Sequence, residues 1–168
     1  MPITLNGTNG IIGGIGSATA QASTSGTSIN FTDIPAGVKR ITVMFQGVST
    51  NGTSFMQVRI GAGSIVATGY VGYYSYVTNA GATSAASVTD GFQLQTSSAS
   101  NNIYGTMTLF NVSGNSWVAS ISAGSPGSVV TVQGGGGITL GGTLDRIRIT
   151  TVNGTDTFDA GSINILYE

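Results

Sequence analysis

No stretch of this chain keeps a helical period for longer than a turn or two. From Ser28 onward, apolar residues recur at every second position in short runs, and glycine, asparagine and serine cut each run off. The pattern is clearest in Arg40–Gln46, where Ile41, Val43 and Phe45 share one face and Arg40, Thr42 and Gln46 take the other. Met56, Val58 and Ile60 continue it, and the intervening Asn51-Gly52, a favoured turn dipeptide, predicts a hairpin between the two runs. Further strands are expected at 65–76 with a glycine break, 91–96, 103–112, 116–122, 129–133, 144–152 and 162–167. Strands at this spacing indicate an all-β chain, an antiparallel jelly-roll-like β-sandwich, with an open barrel as the second choice.

Composition bounds the chemistry. The 168 residues include 27 glycines but only 5 Lys+Arg and 6 Asp+Glu, with no histidine and no cysteine. Thiolate nucleophiles, imidazole bases and most transition-metal sites are therefore missing at the level of residue type, no disulfide framework exists, and an enzyme is not expected. Charged residues make up 7% of the chain, against about 25% in an average soluble domain. Phosphate binding needs clustered Lys and Arg, so nucleic acid is not an expected partner. No apolar stretch approaches the roughly 18 residues of a membrane span, so no membrane insertion is expected. Weak repulsion between copies predicts a homo-oligomer, and a hydrophobic content of 40% predicts a folded core.

Residues 1–26 read as a separate extended, glycine-rich segment ahead of a sandwich domain at 27–168. Alone in water such a segment is floppy, so docking against the body or a neighbouring chain is expected. Gly14-Ile15-Gly16 is not a nucleotide fingerprint, because no βαβ frame surrounds it. Gly134–Gly137 reads as a flexible loop, with close backbone approach to a ligand or neighbouring subunit as the sharper alternative. Asp156 and Asp159 are the weak candidates for a metal, but capping of a turn suits their spacing better; otherwise no metal or cofactor is expected. The five Asn-x-Ser/Thr sequons are compositional.

Tyr70, Tyr73, Tyr74 and Tyr76 crowd into one run, and alternation sets Tyr70, Tyr74 and Tyr76 against Tyr73. Such rings serve either as core or as amphipathic contacts to sugars and proteins. Trp117 shares its face with Ala119 and Ile121, which places it in the core with a hydrogen-bond partner expected for its indole N–H. Arg146 and Arg148 share the face opposite Ile147 and Ile149, as a surface or subunit-interface pair. Candidate partner-binding residues are Ile3, Leu5, Ile11 and Ile12 in the N-terminal segment, together with the four tyrosines. Candidate contact loops are 79–87 and 97–102.

The opening Pro2–Ile11 resembles the N-terminal segments of bacteriophage tail-fibre and related virion surface proteins, and Leu144–Glu168 is similar to the last strands of their β-sandwich heads. Together these stretches cover about a fifth of the chain. The resemblance implies a homotrimer located on the virion and assembled in the host cytoplasm. Its N-terminal segment would dock to other virion proteins while the sandwich meets a host glycan or protein. A repetitive shaft does not fit into residues 1–26, so a short fibre or tail tip for host attachment is the expectation. A capsid decoration protein or a free carbohydrate-binding module are the alternatives. Polysaccharide-cleaving tailspikes need paired carboxylates, and the scattered aspartates offer no such pair.

Overall fold

The computed structural model describes residues 4–6, 10–12, 14–94 and 98–168, and every helix-or-strand element among them is a strand. In chain order these are β1 (Thr4–Asn6), β2 (Gly10–Ile12), β3 (Gly16–Ser17), β4 (Gln21–Ala22), β5 (Ser28–Phe31), β6 (Arg40–Thr50), β7 (Met56–Ala62), β8 (Ser64–Ile65), β9 (Val71–Thr78), β10 (Thr83–Val88), β11 (Phe92–Leu94), β12 (Ile103–Ser113), β13 (Ser116–Ser125), β14 (Val130–Thr139), β15 (Arg146–Thr151) and β16 (Phe158–Tyr167). The chain is an antiparallel β-sandwich. Its large sheet runs β10-β9-β14-β13-β12-β6-β16, with β3 and β4 both added along β16. The small sheet runs β11-β7-β15-β5, with β8 folded back on β7. β1 and β2 pair with each other.

Alternation builds the core. Ile41, Val43 and Phe45 of β6, Met107 and Leu109 of β12, and Ile163 and Ile165 of β16 line the inner face of the large sheet. Met56, Val58 and Ile60 of β7 and Ile147 and Ile149 of β15 answer them from the small sheet. Each buried aliphatic side chain contributes about 1.5–3 kcal/mol.

The expected hairpin at Asn51-Gly52 is not formed. β6 pairs with β12 and β16, whereas β7 pairs with β15 and β11, so the chain crosses between sheets at 51–54. β15 and β16 cross beside it at 152–157, so a two-stranded ribbon folds over from one sheet to the other. A hairpin would have set both apolar faces side by side on one sheet with nothing opposite. The crossing sets them face to face and removes both from water.

Side chains hold this corner. The Asp156 carboxylate accepts from the Ser54 N–H at 2.9 Å and from Asn153 Nδ2 at 2.6 Å, while Asn51 Oδ1 accepts from the Thr157 N–H at 2.9 Å. Asp159 accepts from the Ser49 hydroxyl. Both candidate metal ligands are therefore engaged by protein donors at the corner. Asp156→Ala leaves the Ser54 N–H and the Asn153 amide without their acceptor and should cost about 1–2 kcal/mol in urea melts. Chelator is expected to leave the melting temperature of the unsubstituted protein unchanged, and a fall on adding EDTA would instead assign the carboxylates to an ion.

Two further expectations are corrected. Gly134–Gly137 is no loop: it is the middle of β14, paired to β13 on one side and β9 on the other. Residues 83–87, taken as part of a contact loop, belong to β10 on the edge of the large sheet. Within 1–26, residues 16–23 lie along β16, where the Ala18 N–H donates to the Ile165 carbonyl at 3.0 Å and the buried Ser23 donates its N–H to the Gly161 carbonyl at 2.9 Å.

Candidate interaction surface

Charge is segregated between the two outer faces. The small sheet carries Arg59, Arg146 and Arg148 outward, with Arg59 beside Arg148 in register. Arg59 pairs with Asp90 at 3.5 Å, Arg146 with Asp145 at 2.7 Å, and Arg148 Nε donates to Asn30 Oδ1 at 2.7 Å. The guanidinium of Arg146, bonded to its neighbour, holds the Asp145 carboxyl below its ordinary value. These pairs are half-buried at the sheet surface and still reach water, so they contribute little to stability.

The large sheet is the opposite case. β9, β10, β12, β13 and β14 contain not one charged residue. One row across the outer face reads Val71, Gly137, Val118, Phe110 and then Arg40, which is tied to Glu168 at 2.6 Å. The next row reads Ser87, Tyr73, Gly135, Ser120, Thr108 and Thr42. Val71 is 79% exposed and Tyr73 58%, and Phe110, Val118 and Val77 are exposed with them. A Cβ placed on Gly135 would lie 3.4 Å from the Tyr73 hydroxyl, so the ring leans over the glycine instead of standing clear of the sheet. The result is a neutral, partly apolar face. β10 borders it as an edge strand with no charge and no proline, two of the devices that keep an edge from pairing with another chain.

The four candidate tyrosines separate as alternation predicts, and with different consequences. Tyr70 is sealed in the core, where its ring meets Phe92 edge-on at 5.1 Å and its hydroxyl accepts from the Ile60 N–H at 2.8 Å and donates to the Val66 carbonyl at 3.1 Å. Tyr74 is buried against Phe55, with centroids 5.2 Å apart, and Tyr76 is half-buried. Tyr70 and Tyr74 are therefore packing residues, and the expectation that they touch a partner is corrected by their burial. Tyr73 alone of the four presents its ring to solvent. In the N-terminal segment Leu5 stands opposite Ile11 in the β1–β2 ribbon and Ile12 opposite Thr4; Ile3 lies outside the described residues.

Burial pushes the Tyr70 hydroxyl up to about 12, against the opposing bond from Ile60 and the charge of Arg59. The folded chain holds this proton more tightly than the unfolded one. The associated stability is complete below pH about 10 and is lost as pH rises toward about 12, roughly 3 kcal/mol in all. Urea melts between pH 9 and 12 should show that loss in the unsubstituted protein but not in Tyr70→Phe, which starts less stable because the Ile60 N–H loses its acceptor.

Of the candidate loops, 98–102 is docked: Asn101 is buried and accepts from the Ser128 hydroxyl, and the Asn102 N–H donates to Ser125 Oγ at 3.1 Å. Residue 97 lies outside the described residues. Among the described residues no three acidic, histidine or cysteine side chains gather as a metal site would require.

No protein-family model and no curated protein matches this chain. Among solved structures, the infectious bursal disease virus VP2 subviral particle is 10% identical, covering 99% of this chain and 45% of that one at a TM-score of 0.15. The Gt strain of the same virus is 10% identical over 100% of this chain and 42% of the other, at 0.16. The chain spans less than half the length of either, and at such TM-scores the likeness carries no argument about this protein.

Proposed function

We propose that this protein is a bacteriophage virion component, a short trimeric tail fibre or tail tip that takes part in host-surface attachment. The observation that carries the reading is the uncharged outer face of the large sheet with its unguarded β10 edge. A face of this size without charge is poorly suited to a solitary life in solution and well suited to lasting contact with copies of itself. The N-terminal segment, of which residues 16–23 are built into the sandwich, is the element that joins the trimer to the particle. Three copies then present the same loops at high effective concentration, so weak contacts with a surface glycan or protein add up to useful avidity.

Location on the particle tests the proposal. An antibody raised against residues 27–168 should place gold at the tail in electron micrographs of whole virions. Label spread over the head would replace the fibre reading with capsid decoration. Particles without label, intact or gently disrupted, would leave a free binding module.

A further inference from the structure

Three segments distant in sequence meet at one end of the sandwich: 35–39 ahead of β6, 111–117 around the β12–β13 turn, and 143–144 ahead of β15. Between them is an open cleft of about 160 Å3, lined by Pro35, Val38, Lys39, Asn115, Trp117 and Thr143 among others. Its frame is held by hydrogen bonds. The Asn111 N–H donates to the Lys39 carbonyl at 2.8 Å, Asn111 Nδ2 donates to the carbonyls of Gly114 at 2.9 Å and Ser116 at 3.2 Å, and the Leu140 N–H donates to the Asn115 carbonyl at 3.0 Å.

Two donors in this cleft are left over. Trp117 is only 4% exposed, yet its indole N–H has no acceptor among the described residues, against the expectation from the sequence. It is not sealed off either, since the buried side-chain atom without a partner among the described residues is Gln57 Oε1. Trp117 lines the cleft, which gives its unbonded N–H a path to solvent. The Lys39 ammonium donates to Asn111 Oδ1 at 2.9 Å, which leaves two of its protons free, and no carboxylate pairs with it among the described residues. None of the residues lining the cleft is acidic.

We infer that this cleft binds an acidic sugar residue through its carboxylate. Lys39 supplies the single positive charge and Trp117 a neutral donor, which suits a monoanion; a phosphate dianion calls for more than one cation. Thr143 and Asn115 offer hydroxyl-compatible polar groups, and Pro35 and Val38 give an apolar wall for the ring. The volume fits about one sugar unit. The inference rests on the attachment reading, to which it adds a ligand class, but its test uses the isolated chain and does not depend on where the protein sits in a virion.

Trp117 is the one tryptophan of the sequence, so its fluorescence reports on this cleft alone. Sodium glucuronate, titrated into the full-length protein at constant ionic strength, should give a saturable change with a midpoint on the order of 1 mM, the range open to so small a ligand. Glucose, which lacks the charge, and acetate, which lacks the ring, should each bind about tenfold more weakly or worse. Lys39→Met keeps the aliphatic stem of an exposed side chain and should lose about tenfold in affinity with an unchanged melting temperature. A flat glucuronate titration, an equal response to acetate or glucose, or full affinity in Lys39→Met would each overturn the inference. None of these results would alter the gold-labelling outcome, and an unlabelled virion would not alter the titration.

Discussion

Gly136→Ala should destabilise the fold by about 3–5 kcal/mol, enough to lower the melting temperature by roughly 10 °C in a domain of this size. Gly136 sits in the interior of β14 with φ at +148°, a region that residues with a side chain rarely adopt. Space fails there as well: a Cβ would lie 2.4 Å from the Val71 carbonyl oxygen and 2.5 Å from the Gly72 Cα, both backbone atoms of the neighbouring strand. Neither can rotate away as a side chain would, so relief requires β9 and β14 to separate. The control is Gly141→Ala, where nothing lies within 4 Å of the added carbon and φ is ordinary. That variant should be neutral or gain up to about 1 kcal/mol by restricting the unfolded chain. Equal stability of the two variants would mean that the glycine run is as loose as its sequence suggests.

The same run shows why part of this fold was illegible. β6, β12 and β13 were readable because each turns an unbroken apolar row inward, and the alternation survives in the sequence as Ile41, Val43, Phe45 or Trp117, Ala119, Ile121. Gly134–Gly137 has no side chains to alternate. Its strand conformation comes from β13 and β9 on either flank, which the local sequence does not mention. β10 was hidden for a related reason, since Thr83–Ser87 is small-residued and exposed on both faces. Asn51-Gly52 marked the end of a strand, but a turn dipeptide says nothing about whether the next strand joins the same sheet or the opposite one. That choice is made by β15 and β16, about a hundred residues later.

The candidate surfaces divide in the same way. The inward direction of Tyr74 and outward direction of Tyr73 follow from period-2 alternation. The neutral face requires the order β10-β9-β14-β13-β12, and the cleft requires residues 35–39, 111–117 and 143–144 to converge. Both are products of topology, so sequence periodicity reached the rings but not the surfaces they belong to.

Charge placed on that face should undo assembly. Val71 and Val118 lie in one row, separated in register by Gly137, and both are exposed in the single chain, so Val71→Asp with Val118→Asp should leave the monomer folded. If this face is covered by a second copy, each carboxylate must be buried without a cation, because the five strands around it supply none. An unpaired charge taken into an interface costs several kcal/mol, equivalent to at least about a thousandfold in the association constant. Sedimentation at micromolar concentration should therefore find the unsubstituted protein as trimer and the double variant as monomer, with the far-ultraviolet β signal unchanged. Arg148→Ala, on the outer face of the small sheet, should sediment as the unsubstituted protein does. A double variant that remains trimeric would move the interface off this face. An unsubstituted protein that is monomeric at micromolar concentration would remove the oligomer, and with it the avidity on which weak attachment through shared loops depends.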